Sequence, residues 1–181
     1  MYVFDVAGFD DALETGLNHA RRGVALEPGR QLSRLVLAHA SLVADDLDAY
    51  RDEAATALAL NPANPYAMDS VGYLDVLAGY FERGQSLLDR SLRVNPFHPS
   101  FFHDGCFVER YRRKDYQGAL DVVAVDRERN FWISVMRAAA LGKLDRLDEA
   151  ASAAERPPGP EPTTRTSVWW MTGVSRAGSV M

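Results

Sequence analysis

Apolar and polar residues follow one another along this chain with helical spacing. In residues 81–94, FERGQSLLDRSLRV, the side chains of Phe81, Leu87, Leu88 and Leu92 share one stripe, while charged residues occupy the rest of the helix surface. Stretches of this kind end at a proline, which has no N–H to donate and disfavours helical geometry in the residue before it. The pattern therefore predicts a series of helices separated by prolines.

Three of these prolines recur at a fixed interval. Pro28, Pro62 and Pro96 are each 34 residues apart, and each follows a leucine or valine and then a glutamate or asparagine. The residues after each proline also have helical spacing, and Pro65 and Pro99 fall where the next helix should begin, a position that tolerates a missing N–H. Each period therefore predicts a helix, a short turn and a second helix, and the whole chain is expected to be all-α with about nine helices.

The second full period carries a recognisable set of small residues. With Pro65 as position 1, Val71-Gly72 occupies positions 7 and 8, Gly84 position 20 and Pro96 position 32, and Gly79 is expected to end the first helix. This arrangement resembles the tetratricopeptide repeat (TPR) family. The resemblance implies a right-handed α-α superhelix, a TPR-like solenoid of antiparallel helix pairs. It also implies that the backbones approach most closely at positions 8 and 20.

The resemblance covers roughly residues 8–156, with several departures from the pattern. Tyr50 stands at position 20 of the period that begins at Gln31, and the turn of that period lacks glycine. The third period slips by one residue, and a fourth begins near Phe131. We therefore expect a repeat domain over residues 1–156, with incomplete first and last repeats, and a proline-rich tail over residues 157–181.

Residues 57–102, 115–123 and 138–150 have a narrower resemblance. They are similar to the C-terminal repeat region of bacterial class III adenylate and guanylate cyclases and of winged-helix transcriptional regulators. That resemblance implies a sensing or signal-relay segment. It does not imply cyclase activity, because the chain has no residue of the catalytic domain.

Composition excludes several classes of function. A net charge of −5 argues against general nucleic-acid binding, which usually requires a basic surface. No apolar run approaches the roughly 18 residues needed to cross a bilayer, so no membrane association is expected. No signal peptide is recognisable, and the single cysteine, Cys106, favours a reducing cytoplasm.

The sequence contains no arrangement typical of a catalytic or cofactor site. Phosphate-binding and zinc-protease motifs are absent. His103 and Cys106 would project one helical turn apart without a second histidine or cysteine nearby, so neither a metal nor a cofactor is predicted. The interpretation that follows is a protein that is not an enzyme and that acts through its surface.

In TPR solenoids, positions 2, 5, 9 and 12 of each first helix face the concave side. The resemblance therefore implies a partner-binding groove lined by His39, Tyr66, Asp69, Tyr73, His103, Phe107, Arg110 and Trp132. Aromatic rings give a groove contact area at small entropic cost. The alternative is that several of these rings only pack between helices. Positions 5 and 9 lack the lysine and asparagine that clamp acidic C-termini in some TPR proteins, so such a ligand is not expected.

Two hypotheses follow for the function. The first is a TPR scaffold that binds a protein or peptide partner through the groove. The second is a regulatory segment detached from a nucleotide cyclase or transcriptional regulator, which binds a small ligand or its parent domain.

Incomplete terminal repeats could also drive self-association. The tail either docks through Trp169 and Trp170, folds back over the last helix, or has no selected structure.

Overall fold

The computed structural model describes residues 9–124 and 131–154. Within these ranges the chain is all-α, with nine helices and no strand, as predicted. The helices are α1 (Phe9–Leu26), α2 (Gln31–Val43), α3 (Leu47–Leu60), α4 (Pro65–Ala78), α5 (Phe81–Val94), α6 (Phe102–Arg112), α7 (Tyr116–Ala124), α8 (Phe131–Lys143) and α9 (Leu147–Ala154). The predicted tail, residues 157–181, lies outside the described ranges.

The helices form two compact units. The first unit contains α1 to α7, in which α2 packs against α3, α4 against α5, and α6 against α7, while α1 packs against α2. The second unit contains α8 packed against α9, with Ile133, Ala140 and Leu141 buried. Each repeat therefore contributes one pair of helices, as the 34-residue period predicts.

The turn inside each pair uses one residue in the left-handed backbone region. In the first unit these residues are Asp45, Gly79 and Lys114, with φ angles of 61°, 90° and 64°. In the second unit Asp145 takes the same role at φ 58°. Gly79 was expected from the sequence, whereas the glycine-free turns show that aspartate and lysine also occupy this position despite the steric cost of a Cβ atom.

The residue after each left-handed position donates a backbone hydrogen bond to the last turn of the preceding helix. The N–H of Tyr80 donates to the carbonyl of Asp75 at 2.8 Å, a bond that reaches back five residues. Asp46, Asp115 and Arg146 make the same bond in their own turns, at 2.9, 3.0 and 3.1 Å. This is the Schellman motif, which satisfies carbonyl groups that a helix end would otherwise leave open.

The spacing of these turns locates the slip in the third period. Gly79 follows Asp45 by 34 residues, but Lys114 follows Gly79 by 35, which confirms the one-residue slip. Helix α6 also begins at Phe102, three residues after the Pro99 position predicted from sequence. Before it, the N–H of Phe102 donates to the carbonyl of Pro99 at 3.2 Å in a tight turn. Pro65, in contrast, is the first residue of α4, as predicted.

Helices α4 and α5 approach each other closely at the small residues Gly72 and Gly84, as predicted. A Cβ atom on Gly84 of α5 would lie 2.8 Å from the carbonyl oxygen of Gly72 in α4 and 2.9 Å from a methyl group of Val76. A Cβ on Gly72 would lie 3.1 Å from the carbonyl oxygen of Gly84. A side chain at Gly84 would therefore force the two backbones apart, and the space at Gly72 is tighter than most Cβ atoms tolerate.

In the preceding pair, α2 and α3, a tyrosine ring lies at the position that Gly84 occupies in α5. Tyr50 of α3 is fully buried in a cluster with Ala38, Ala54, Val71 and Leu74. Two of these neighbours are alanines, whose small side chains leave space for the ring beside them. The large residue at position 20, Tyr50, is therefore accommodated by small neighbouring side chains.

Candidate functional site

Tyr66 and Phe101 form the exposed edge of an aromatic cluster at the start of α4 and α6. Tyr66 is 47% exposed and Phe101 is 36% exposed, and their ring centroids lie 6.1 Å apart. The edge of Tyr66 also meets the fully buried ring of Phe102, at 5.2 Å between centroids. Edge-to-face and tilted geometries of this kind are favourable for aromatic pairs.

Two histidines extend this aromatic cluster. His98 stacks on Phe102 with a centroid distance of 5.5 Å, and its ring meets the edge of His103 at 4.8 Å. The structure therefore brings two of the predicted groove residues, Tyr66 and His103, to the same end of α4 and α6. Sequence analysis missed Phe101, Phe102 and His98, although the run PFHPSFF is visibly aromatic.

Asp69 lies one turn further along α4 and is a buried carboxylate. It is only 4% exposed, and its Oδ1 atom has no hydrogen-bond partner among the described residues. Burial, with a smaller contribution from the charge of Asp104 in α6, raises the pKa of Asp69 to about 8. Burial and the same aspartate also raise the pKa of Tyr73, which is half-buried. The carboxylate of Asp69 is therefore largely protonated near neutral pH.

The remaining predicted residues differ in how far they reach solvent. Phe107 is only 6% exposed, and its ring stacks on that of Tyr111 with 5.7 Å between the centroids. Arg110 is exposed and forms an ion pair with Asp115 at 3.1 Å. His39 of α2 is also exposed, yet desolvation by the surrounding protein lowers the pKa of its imidazole. Trp132 belongs to the second unit and is 45% exposed.

Sequence analysis also missed a row of buried polar residues at position 11 of the repeats. Ser41, Asp75 and Glu109 are spaced by 34 residues and keep 2%, 0% and 1% of their surface exposed. Polar residues at a constant spacing are visible in the sequence. Their burial is not visible, because it depends on how neighbouring helices cover position 11.

The two carboxylates in this row, Asp75 and Glu109, are neutralised by arginines. Asp75 accepts a hydrogen bond from the Nε of Arg83 at 2.6 Å and another from the hydroxyl of Tyr50 at 2.5 Å. Glu109 pairs with Arg112 at 2.7 Å and with Arg113 at 3.0 Å. The hydrogen bond from Arg112, which outweighs the cost of burial, lowers the pKa of Glu109. These ion pairs satisfy the rule that buried charges need partners.

A metal site and a reactive thiol each place requirements on the described residues. No group of three or more His, Cys, Asp or Glu side chains in residues 9–124 and 131–154 is placed to hold a metal ion. Cys106 is 7% exposed, and burial raises the pKa of its thiol to about 11, so the reactive thiolate is scarce at neutral pH. None of the described helices is long and apolar enough to span a bilayer.

The paired helices on a 34-residue period and the Gly72–Gly84 contact define a TPR-like helical repeat fold. The crystal structure of MamA, a TPR-like protein, has a similar fold. The TM-score is 0.59, at 10% sequence identity, over 86% of this chain and 92% of the MamA chain. No protein-family model and no curated protein matches the sequence. The narrower resemblance to cyclase-associated and regulator-associated repeats therefore stays a prediction.

Proposed function

We propose that this protein is a non-enzymatic scaffold that binds a segment of a protein partner through the first helices of its repeats. The surface in question is formed by α2, α4 and α6 and centres on the aromatic cluster. The single observation that carries the proposal is the solvent-facing pair formed by Tyr66 of α4 and Phe101, the residue just before α6. Buried Cys106 is compatible with a reducing compartment such as the cytoplasm.

These two rings stay exposed although both pack against the fully buried ring of Phe102. Tyr66 and Phe101 present two tilted rings to solvent, and Phe97, in the loop before α6, is 95% exposed. Contiguous exposed apolar groups rimmed by polar residues are typical of interaction sites. Tyrosine and phenylalanine side chains also lose little conformational entropy when a partner covers them.

Selection of peptides from a random phage-displayed library tests the proposal. The immobilised protein should enrich a family of peptides, and Tyr66→Ala should weaken their binding by more than about tenfold, as expected for a central aromatic anchor. Arg93→Ala, at an exposed position in the last turn of α5, should leave binding unchanged. Circular dichroism of both variants should show the helical content of the native protein.

Two results would overturn this function. The first is a selection that enriches no peptide above an unrelated helical protein of similar charge. The second is a set of peptides that bind the Tyr66→Ala and Arg93→Ala variants equally well, because their binding surface would then lie away from the aromatic cluster.

A further inference from the structure

Helices α2 and α4 expose no charged side chain. Their exposed residues are aliphatic or aromatic apart from His39, and desolvation by the surrounding protein lowers the pKa of that imidazole, so it is mostly neutral at pH 7. The one charged residue of α2, Arg34, is half-buried in an ion pair with Glu53 at 2.9 Å. The two aspartates of α4, Asp69 and Asp75, are buried.

The exposed residues of α2 form one stripe. Leu32, Val36 and Val43 are 59%, 49% and 48% exposed, and the exposed His39 lies between the last two. Their spacing along the chain, four, three and four residues, places all four side chains on one face of the helix. At a rise of about 1.5 Å per residue, the stripe from Leu32 to Val43 is about 16 Å long.

Helix α4 repeats this stripe one period later. Tyr66 and Leu77 are 47% and 52% exposed, and they occupy the same repeat positions as the two ends of the α2 stripe. Between them lie Ser70 and Tyr73, which are half-buried. Because α4 packs against α2, the two stripes lie side by side and form one apolar surface.

The second helices of the same repeats have the opposite character. Arg30 and Asp45, which are exposed and charged, lie just beyond the two ends of the α2 stripe. An exposed apolar surface with a charged rim is typical of an interaction site. The exposed charged residues of α3 and α5 are Asp48, Arg51, Asp52, Glu82, Arg83, Asp89, Arg90 and Arg93.

The apolar surface offers a partner few hydrogen-bonding groups. The backbone groups within α2 and α4 bond inside their own helices, and only the imidazole of His39 and the hydroxyl of Tyr66 are polar among the exposed side chains. An extended peptide needs partners for the backbone groups that it buries, whereas a helix satisfies its own. A charge buried against this surface would also remain unpaired, at a high cost. A helix with an uncharged apolar face therefore fits best.

We propose that the partner segment is an amphipathic helix whose uncharged apolar face lies along the stripes of α2 and α4. This inference rests on the proposed function and specifies the chemistry and the conformation of the partner. Apolar residues at positions i, i+4, i+7 and i+11 of the partner helix span about 16 Å, the length of each stripe. Tyr66 belongs both to the α4 stripe and to the aromatic cluster, so the bound helix reaches the exposed rings at one end.

The first test is the sequence and the conformation of the peptides enriched from the phage-displayed library. They should carry uncharged apolar residues at helical spacing, and a synthetic copy should gain helical circular dichroism when it binds. Proline at the centre of that peptide should weaken binding by about a hundredfold or more, because it breaks the helix. The affinity should change little between about 0.05 M and about 0.5 M NaCl, since no exposed charge takes part.

The second test places a charge within the apolar surface. Val36→Asp and Val36→Lys should each weaken binding of the selected peptide by about a hundredfold, measured by calorimetric titration, because either charge would be buried without a partner. Leu77→Asp, at the far end of the α4 stripe, should act in the same way.

Ala55→Asp is the matched control for these substitutions. Ala55 is exposed within α3, so this variant adds the same charge outside the apolar surface and should bind the peptide like the native protein. Val36 and Leu77 are about half exposed, so the new charges reach water in the free protein and the variants should fold. Circular dichroism of each variant checks its helical content.

The outcomes separate the two proposals. If no peptide is enriched, the scaffold function fails and this inference fails with it. If peptides lose affinity in Tyr66→Ala but bind Val36→Asp as tightly as Ala55→Asp, the scaffold function stands and this inference is overturned. Binding without a gain in helicity, or opposite effects of Val36→Asp and Val36→Lys, would also overturn it.

A second copy of the chain is the competing occupant of this surface. Analytical ultracentrifugation of the native protein and of Val36→Asp distinguishes it from a partner helix. We expect both proteins to be monomers. A native dimer that becomes monomeric in Val36→Asp would overturn the inference, because the apolar surface would then be covered by self-association.

Discussion

The hydroxyl of Tyr50 lies 2.5 Å from the Oδ1 atom of Asp75, and this hydrogen bond joins the second helix of one repeat to the first helix of the next. Both residues are fully buried, and Arg83 completes the set by donating to the same carboxylate. Burial and the adjacent carboxylate raise the pKa of Tyr50, so its hydroxyl keeps the proton that it donates. A residue that departs from the repeat pattern thus forms a specific link between repeats.

Removing this hydroxyl should destabilise the first unit. Tyr50→Phe leaves a buried carboxylate with one donor fewer, which we expect to cost about 1.5–3 kcal/mol in free energy of unfolding. Urea denaturation followed by circular dichroism measures the change. Tyr66→Phe is the matched control, because Tyr66 is 47% exposed and should change the unfolding free energy by less than about 0.5 kcal/mol. Equal effects of the two substitutions would show that the Tyr50–Asp75 bond contributes nothing.

Adding a methyl group at the helix contact should also destabilise the protein. Gly84→Ala places a Cβ atom 2.8 Å from the backbone of α4, so the helices must move apart. We expect a net loss of about 1–2 kcal/mol, since an overpacking cost of about 1–3 kcal/mol is partly offset by the better helix propensity of alanine. Thermal denaturation would report it as a lower Tm.

Gly16→Ala provides the control for helix propensity alone. Gly16 lies within α1, and a Cβ atom there would meet no other atom within 4 Å. This variant should be more stable than the native protein by up to about 1 kcal/mol. If Gly84→Ala were stabilised to the same degree, the close approach of α4 and α5 would be disproved.

Asp69 should make stability fall as pH rises. Its pKa is about 8 in the folded protein, against an ordinary value of 3.8, so the native state binds more protons than the unfolded state between these values. The free energy of unfolding therefore decreases with pH in that window, by up to about 1.4 kcal/mol per pH unit. In Asp69→Asn this contribution disappears, and the variant should gain stability over the native protein progressively from about pH 5 to pH 8.

The measurement is a series of urea titrations at several pH values within this window. Asp52→Asn, at an exposed position in α3, controls for the loss of a negative charge. A stability difference between native protein and Asp69→Asn that stays constant with pH would contradict the raised pKa of Asp69.

The left-handed turn residue of the third repeat offers a site for stabilisation. Lys114 adopts a φ angle of 64°, which costs a residue with a Cβ atom roughly 1 kcal/mol relative to glycine. Lys114→Gly should therefore raise the free energy of unfolding by about 0.5–1 kcal/mol. Lys114→Ala keeps the steric penalty and should give no such gain, which differential scanning calorimetry of the two variants can resolve.

The sequence predicts the parts of this fold that depend on local spacing. The helix pairs and the one-residue slip follow from the period, Gly79 was expected to end its helix, and the Gly72–Gly84 contact was implied by the resemblance to TPR proteins. These features are readable because each is determined by residue size or backbone preference at a fixed position. The period does not show which side chains of one repeat bond to side chains of the next. The hydrogen bond between Tyr50 and Asp75 was therefore not predicted.

The candidate site was predicted less completely, for a related reason. The register places residues on a helix face, but it does not determine how deeply neighbouring helices cover them. Tyr66 is half-exposed as expected of a binding residue, whereas Asp69 and Phe107 keep only 4% and 6% of their surface. The groove assignment remains a prediction, and the burial of Phe107 makes that residue a poor choice for a binding test.

The hydrogen bond from Tyr50 to Asp75 gives the junction between the α2–α3 and α4–α5 pairs a specific partner set. Protein engineers often treat repeats as interchangeable modules to be shuffled, deleted or duplicated. Here, a repeat whose second helix carries Tyr50 requires that the next repeat have a hydrogen-bond acceptor at position 11, which is Asp75. The carboxylate of Asp75 in turn requires Arg83 from the second helix of its own repeat. A chimaeric array would therefore have to transplant donor and acceptor together, so that modular exchange is limited by junctions rather than by modules.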